Sequence, residues 1–270
     1  PTSVAVREGL AFVAAENALT IIDVSDAANP TLVSKIPDGA GPFVAGEPPF
    51  DRLSSPTSVA VGGNLVYVTA EDALSIIAVD DPANPVLRSV IDDGDAGFGH
   101  LGSPASVSVR GTLVFVAAES ALTIVDASDP SAPVKKSHLA DDPSRSLGGA
   151  SAVAFIGDSV LVTASTEDSL ALIDVSDVGQ PSQTSTFGGL PGANAVAVSG
   201  NLALVTSHDD DTLTVIDLQR DRLGRIVIAS QLGSDGLDTS EHDQEVAPAI
   251  GSAPRATTYD PSRLQQVQIY

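Results

Sequence analysis

The chain has 270 residues, 43% of them hydrophobic, and a net charge of −22 from 35 acidic side chains against 3 Lys and 10 Arg. It contains no Cys, Met or Trp, which excludes disulfides, thiolate catalysis, Cys-ligated zinc, iron–sulfur clusters and covalently attached haem. The chain is apolar enough to bury a full core, so few cations leave no basic stripe for nucleic acid or anionic lipid, and no apolar run approaches the about 18 residues of a membrane span.

In chain order the first predicted elements are short strands. SVAV (3–6) is small and apolar, LAFVAA (10–15) follows a Gly-bearing turn, ALTIIDV (18–24) follows Glu16-Asn17, and TLVSKI (31–36) follows SDAANP. Val, Ile, Leu and Thr dominate each run, and Gly, Asn, Asp or Pro stands at each junction, so no stretch reads as a helix. The same four-run unit returns four times. Ser3, Ser58, Ser106, Ala152 and Ala195 are equivalent, with spacings of 55, 48, 46 and 43. Four antiparallel strands in that length predict one propeller blade. The expected fold is therefore all-β, a single β-propeller domain over 1–270 with five clear repeats (1–55, 56–103, 104–149, 150–192, 193–232). The innermost strand of a blade should be small because the axis is crowded. The two middle strands, covered on both faces, should be nearly all apolar. The outermost can carry charge, as Lys35, Arg88, Lys135 and Lys136 do.

Residues 233–252 are polar and acidic, and 253–270 read as a partial sixth blade. Pro254–Tyr259 stands where PTSVAV stands in the repeats, and apolar residues alternate through Arg263–Tyr270. The incomplete blade is a short sixth blade, a sign of a longer propeller, or an edge that a second copy completes by strand addition. The last reading gives head-to-tail assembly and makes Tyr259, Val267, Ile269 and Tyr270 interface candidates. Phe43 and Phe50, in the loop GPFVAGEPPF, join them as an exposed apolar pair or a lid over the adjacent blade.

A family resemblance rests on a recurring run. Leu19-Thr20-Ile21-Ile22-Asp23-Val24-Ser25-Asp26 with Asn29-Pro30, Leu122–Pro130 and Leu170–Asp177 share it, while Leu74–Ile77 loses the aspartate at Ala78 and Leu213–Asp217 loses the turn that follows. The run resembles the LVIVD-repeat proteins, a bacterial and archaeal surface propeller family. The resemblance implies the fold and brings no common active site.

Catalytic patterns are weak. His100, His138, His208 and His242 lie in loops, a rim strand and the acidic tail, with no G-x-S-x-G elbow nearby, so no catalytic residue is assigned. Calcium is the one candidate cofactor, because it takes loop carboxylates. Asp92, Asp93 and Asp95, then Asp209, Asp210 and Asp211, then Asp235 and Asp238, supply them, but none fits an EF-hand spacing. With 27 Asp in the chain such loops arise without metal, so no cofactor is assigned. Asp23, Asp126, Asp174 and Asp217 are expected to cap the following turn rather than to form a ring. Glu16, Glu71, Glu119 and Glu167, in the turn before each third strand, should make an acidic patch. Without Trp and with three Tyr, a sugar-stacking surface is not expected.

The chain starts at Pro1 and has no Met, which reads as an exported product with its signal peptide removed. The expected function is a non-enzymatic extracellular structural or adhesive propeller. It would self-assemble into a filament or surface array or bind other surface proteins, with no nucleic acid and no membrane insertion. The alternatives are a calcium-dependent, phytase-like propeller hydrolase and a partner-binding module of a larger surface protein.

Overall fold

The computed structural model describes residues 1–42, 49–95 and 97–218, and the backbone of 227–232. Their strands form five four-stranded antiparallel sheets, and no residue described is helical. Blade 1 holds β1 (Ser3–Arg7), β2 (Leu10–Ala15), β3 (Ala18–Asp23) and β4 (Thr31–Pro37). Blade 2 holds β5 (Pro56–Gly62), β6 (Leu65–Ala70), β7 (Ala73–Ala78) and β8 (Val86–Asp92). Blade 3 holds β9 (Pro104–Arg110), β10 (Leu113–Ala118), β11 (Ala121–Asp126) and β12 (Val134–Ala140). Blade 4 holds β13 (Ala150–Ile156), β14 (Ser159–Ala164), β15 (Ser169–Asp174) and β16 (Ser182–Gly188). Blade 5 holds β17 (Ala193–Ser199), β18 (Leu202–Ser207), β19 (Thr212–Asp217) and β20 (Val227–Leu232).

Within each blade the strands lie in chain order, and the first strands of successive blades, β1, β5, β9, β13 and β17, pack side by side around the axis. The strand runs read from the sequence therefore fall on the observed strands, and the fold is a propeller. In blades 2 and 3 the two middle strands are buried on both faces, as their near-continuous apolar runs require.

Each seam between blades pairs a bulky face with a β-branched one. Between blades 1 and 2, Phe12, Leu19, Ile21 and Ile36 meet Val59, Val66, Val68 and Ile77. Between blades 2 and 3, Tyr67, Leu74, Ile76 and Ile91 meet Val107, Val114, Val116 and Val125. Between blades 3 and 4, Phe115, Leu122, Ile124 and Leu139 meet Val153, Val160, Val162 and Ile173. Large side chains against branched, stiff ones fill a seam without voids.

Hydroxyl groups fix the spacing at both ends of a seam. At the axis Ser3, Ser58 and Ser106 accept from the Val59, Val107 and Val153 amides at 3.1, 3.2 and 3.4 Å. At the rim Ser34, Ser89 and Ser137 donate to the carbonyls of Pro82, Pro130 and Val178 at 2.8, 2.8 and 2.6 Å. These bonds satisfy main-chain groups that the ladders leave over.

The connectors from rim to axis carry a device that the sequence reading missed. Leu53, Leu101, Leu147 and Leu190 are fully buried in loops, at spacings of 48, 46 and 43, the same as the blades. The first three amides donate to Asp38, Asp93 and Asp141 at 2.8, 2.8 and 2.9 Å. The signal was present as LSSP, LGSP, LGGA and LPGA, a leucine three residues before each inner strand after the first.

Candidate functional site

The acidic loops lie where the connectors run, and several of their carboxylates are held by contacts within the fold. Asp92 takes the Arg52 guanidinium at 3.0 Å, and Asp95 accepts the Asp92 amide at 3.0 Å. Asp93 holds the Leu101 plug. Asp210 accepts the Thr212 hydroxyl at 2.8 Å, and Asp211 occupies a left-handed turn position with φ 54°. Asp209 packs so closely on Gly192 that a Cβ there would lie 2.7 Å from its carboxyl carbon. Among the described residues no three acidic or histidine side chains are gathered as a metal ion would need. Asp235 and Asp238 lie outside the described residues.

His208 is exposed in its turn, and His242 lies outside the described residues. The structure brings together two histidines that the sequence left apart. The rings of His100 and His138 stack with centroids 4.3 Å apart at 17°. Partial loss of solvent, then the neighbouring charges of His100 and Lys135, hold His138 below the ordinary histidine value. No hydroxyl or carboxylate bonds to either ring among the described residues.

The apolar candidates divide differently from expectation. Of the two expectations for the loop, an exposed pair or a lid over the adjacent blade, the burial of Phe50 with Phe12, Leu19 and Leu53 in the seam of blades 1 and 2 fits the lid and not the exposed pair. A bridge pairs Phe50 with Ala40. Phe43, Tyr259, Val267, Ile269 and Tyr270, with the partial blade 253–270, lie outside the described residues. Besides Val134 in blade 3, the exposed large apolar side chains among the described residues lie on the outward face of blade 1. There Val4, Val6 and Leu32 are 62%, 66% and 64% exposed, whereas Val59 and Leu87, at the positions of Val4 and Leu32 in blade 2, are 5% and 4% exposed. The carbonyl of Ala27, where Pro82, Pro130 and Val178 accept a rim serine, has no donor among the described residues.

The LVIVD repeat model matches residues 2–37, 55–93 and 101–141, the first three blades. Solved propellers superpose on the chain. A protein from Lactobacillus plantarum superposes with a TM-score of 0.66 at 17% identity, over 86% of this chain and 70% of that one. The periplasmic gluconolactonase of Pseudomonas aeruginosa gives 0.65 at 15% identity, over 86% and 70%. The chain is a β-propeller that carries LVIVD repeats. A functionally unknown protein from Desulfotomaculum acetoxidans gives 0.63 at 12% identity, over 85% of this chain and 69% of that one. At these identities the likeness carries the fold. No curated protein matches the chain.

In this LVIVD propeller the signature aspartate closes a turn. Asp23, Asp126 and Asp174 accept the amides of Ser25, Ser128 and Ser176 at 2.9, 2.9 and 2.8 Å. Asp26, Asp81, Asp129 and Asp177 repeat the contact two residues on, with Ala28, Ala83, Ser131 and Gly179. Hydrogen bonds to Ser25, to Ser128 and then Lys136, and to Ser176 hold Asp23, Asp126 and Asp174 below the ordinary carboxyl value. The acidic turn residues Glu16, Glu71 and Glu119 are exposed and take φ 52°, 50° and 41°. In blade 4 the turn is longer, and Asp168 rather than Glu167 holds that position, at φ 50°.

Proposed function

We propose that this LVIVD propeller is an exported, non-catalytic interaction protein that assembles head to tail, the outward face of blade 1 receiving blade 5 of a second copy. The exposed face of blade 1 carries the reading. The seam of blades 1 and 2 buries Val59 and Leu87, the equivalents of Val4 and Leu32, and the next two seams bury Val107 and Val153 at the position of Val4. The far face of blade 5 is a sheet of that bulkier kind, offering Ala195, Ala197, Leu204, Leu213 and Val215 exposed or half-buried. A contact of this kind does not close on itself and propagates. Large uncovered apolar surface is also what interaction sites show.

The test is mass against concentration by light scattering, with negative-stain electron microscopy, for the wild type and for Val4→Asp and Leu32→Asp. Both positions are exposed in the single chain, so the variants should fold. Growth into filaments that the aspartates abolish, and that a calcium chelator leaves intact, is the expected result. Single particles at every concentration, with β1 amides protected from exchange even in dilute solution, would mean that one chain covers its own face and would sink the assembly reading. One neighbour is a gluconolactonase, and hydrolysis of a gluconolactone by the purified chain would favour an enzyme instead.

A further inference from the structure

The cleft between blades 2 and 3 departs from the repeat in three places at once. Where blade 3 has Arg110, blade 2 has Gly62, and where blade 3 has Asp126, blade 2 has Ala78. In the seam of blades 3 and 4 those two side chains fill space. Arg110 stacks on Phe155 with its guanidinium carbon 4.3 Å from the ring centre and donates to the Gly157 carbonyl at 2.6 Å. Asp126 takes the Lys136 ammonium at 3.1 Å. In the seam of blades 2 and 3 neither side chain exists, and a cavity of about 430 Å³ remains. Arg88 stands where blade 3 has Lys136. It is half-buried and lines the cavity, but the aspartate that would pair with it has become Ala78. No hydrogen bond or ion pair reaches Arg88 from the described residues. A guanidinium that lines a cavity and has no ion pair among the described residues is free to take a ligand anion.

We infer that this cleft binds a small carboxylate, whose charged group takes the place of the missing aspartate beside Arg88. A guanidinium holds a carboxylate through paired hydrogen bonds. Thr112, Ser128 and Ser131 line the same cavity and offer hydroxyls for the rest of the ligand. The second charged group in the cleft, Asp80, accepts from Asn64. With one cation and one carboxylate present, a singly charged ligand is favoured over phosphate, whose second charge would face Asp80 without relief. The volume lies within the range of small-molecule sites.

Saturation-transfer NMR on the full chain tests this with acetate, propionate, lactate and glycerate, and with inorganic phosphate as competitor. Transfer to at least one carboxylate is expected, weakened roughly tenfold or more in Arg88→Gln through loss of the charged contact. Ala78→Asp restores the repeat residue and gives Arg88 an internal partner. It should abolish binding while leaving the melting temperature unchanged or raised. If Ala78→Asp does not fold, Arg88→Gln decides alone. No transfer to any of the four, transfer undiminished in either folded variant, or displacement by phosphate at lower concentration than the carboxylates would each overturn the assignment.

Discussion

At the end of β11, Asp126 joins a strand to its turn through the Ser128 amide and to the rim through Lys136. Both contacts favour the ionised form, and its carboxyl is held below the ordinary value near 3.8. Asp23, Asp26, Asp81, Asp142 and Asp174 are lowered for the same reason. A carboxyl lowered in the folded state binds its proton more readily when unfolded. Its contribution to stability is therefore complete above the unfolded value and disappears as pH falls through the folded value. The melting temperature should stay level from pH 7 to about pH 5 and drop steeply below about pH 4. The opposing effect is discharge of the −22 surface, which relieves repulsion on acidification. A melting temperature that climbs between pH 5 and pH 3 would show that repulsion outweighs the turn bonds. Asp126→Ala should cost about 1 kcal/mol at pH 7 and reduce the acid drop.

A blade is four strands that cannot bury their faces alone, and the connector leucines lock one blade onto the next. Leu101 is fully buried with Leu74, Ile91 and Val107, and its amide is held by Asp93. Leu101→Ala leaves a cavity that a stapled loop cannot collapse into, so the cost should be about 2–5 kcal/mol by urea unfolding. A loss below about 1 kcal/mol would mean the loop relaxes freely and the leucine is not a plug. The turn that receives each connector explains why non-glycine residues accept positive φ. Next to Glu16 and Glu71, Asn17 and Asp72 take the Ser55 and Ser103 amides through their side chains at 3.1 and 2.9 Å. The strain at one turn residue is offset by the bonds made at its neighbour.

Across the whole molecule the seams are not equal. Seams 1–2 and 2–3 each carry a serine bond at the axis and another at the rim. In the seam of blades 4 and 5 Ala152 has no hydroxyl for the Ser3-type contact, Ser151 donates to the Ala193 carbonyl at 2.9 Å instead, and Ser185 donates to Thr184 in its own strand. Ser207 and Thr214 on blade 5, and Ser169 on blade 4, are buried without a hydrogen-bond partner among the described residues. Unpaired hydroxyls and absent bonds lower the free energy of local opening. Hydrogen exchange should therefore find β17, β18 and β19 opening well before β5, β6 and β10. Uniform protection across the five blades would show that the seam bonds contribute nothing to the order of opening. The same scale frames the open face. The chain spans 69–70% of the lengths of the solved propellers described above. Those propellers have room for about two blades more than the five described, and β17 shows no packing on β1 like that between β13 and β17.

The blade itself was legible in the sequence, since strand runs, breakers and aspartate turns depend on residues close along the chain. Period-two and continuous apolar runs placed the strands, and an aspartate two residues before an amide defined the turn at Asp23, Asp126 and Asp174. Five copies of one unit then required stacking, because a single sheet cannot cover both of its apolar faces. Which neighbour a side chain meets was left to the tertiary structure. It turned Phe50 inward, brought His100 onto His138, sank the connector leucines into the seams and left Val4, Val6 and Leu32 uncovered. It also set Gly62, Ala78 and Arg88 around one cleft, although they stand on three different strands. Burial and pairing at these positions are properties of two adjacent blades, and the spacing within one repeat carries no record of them.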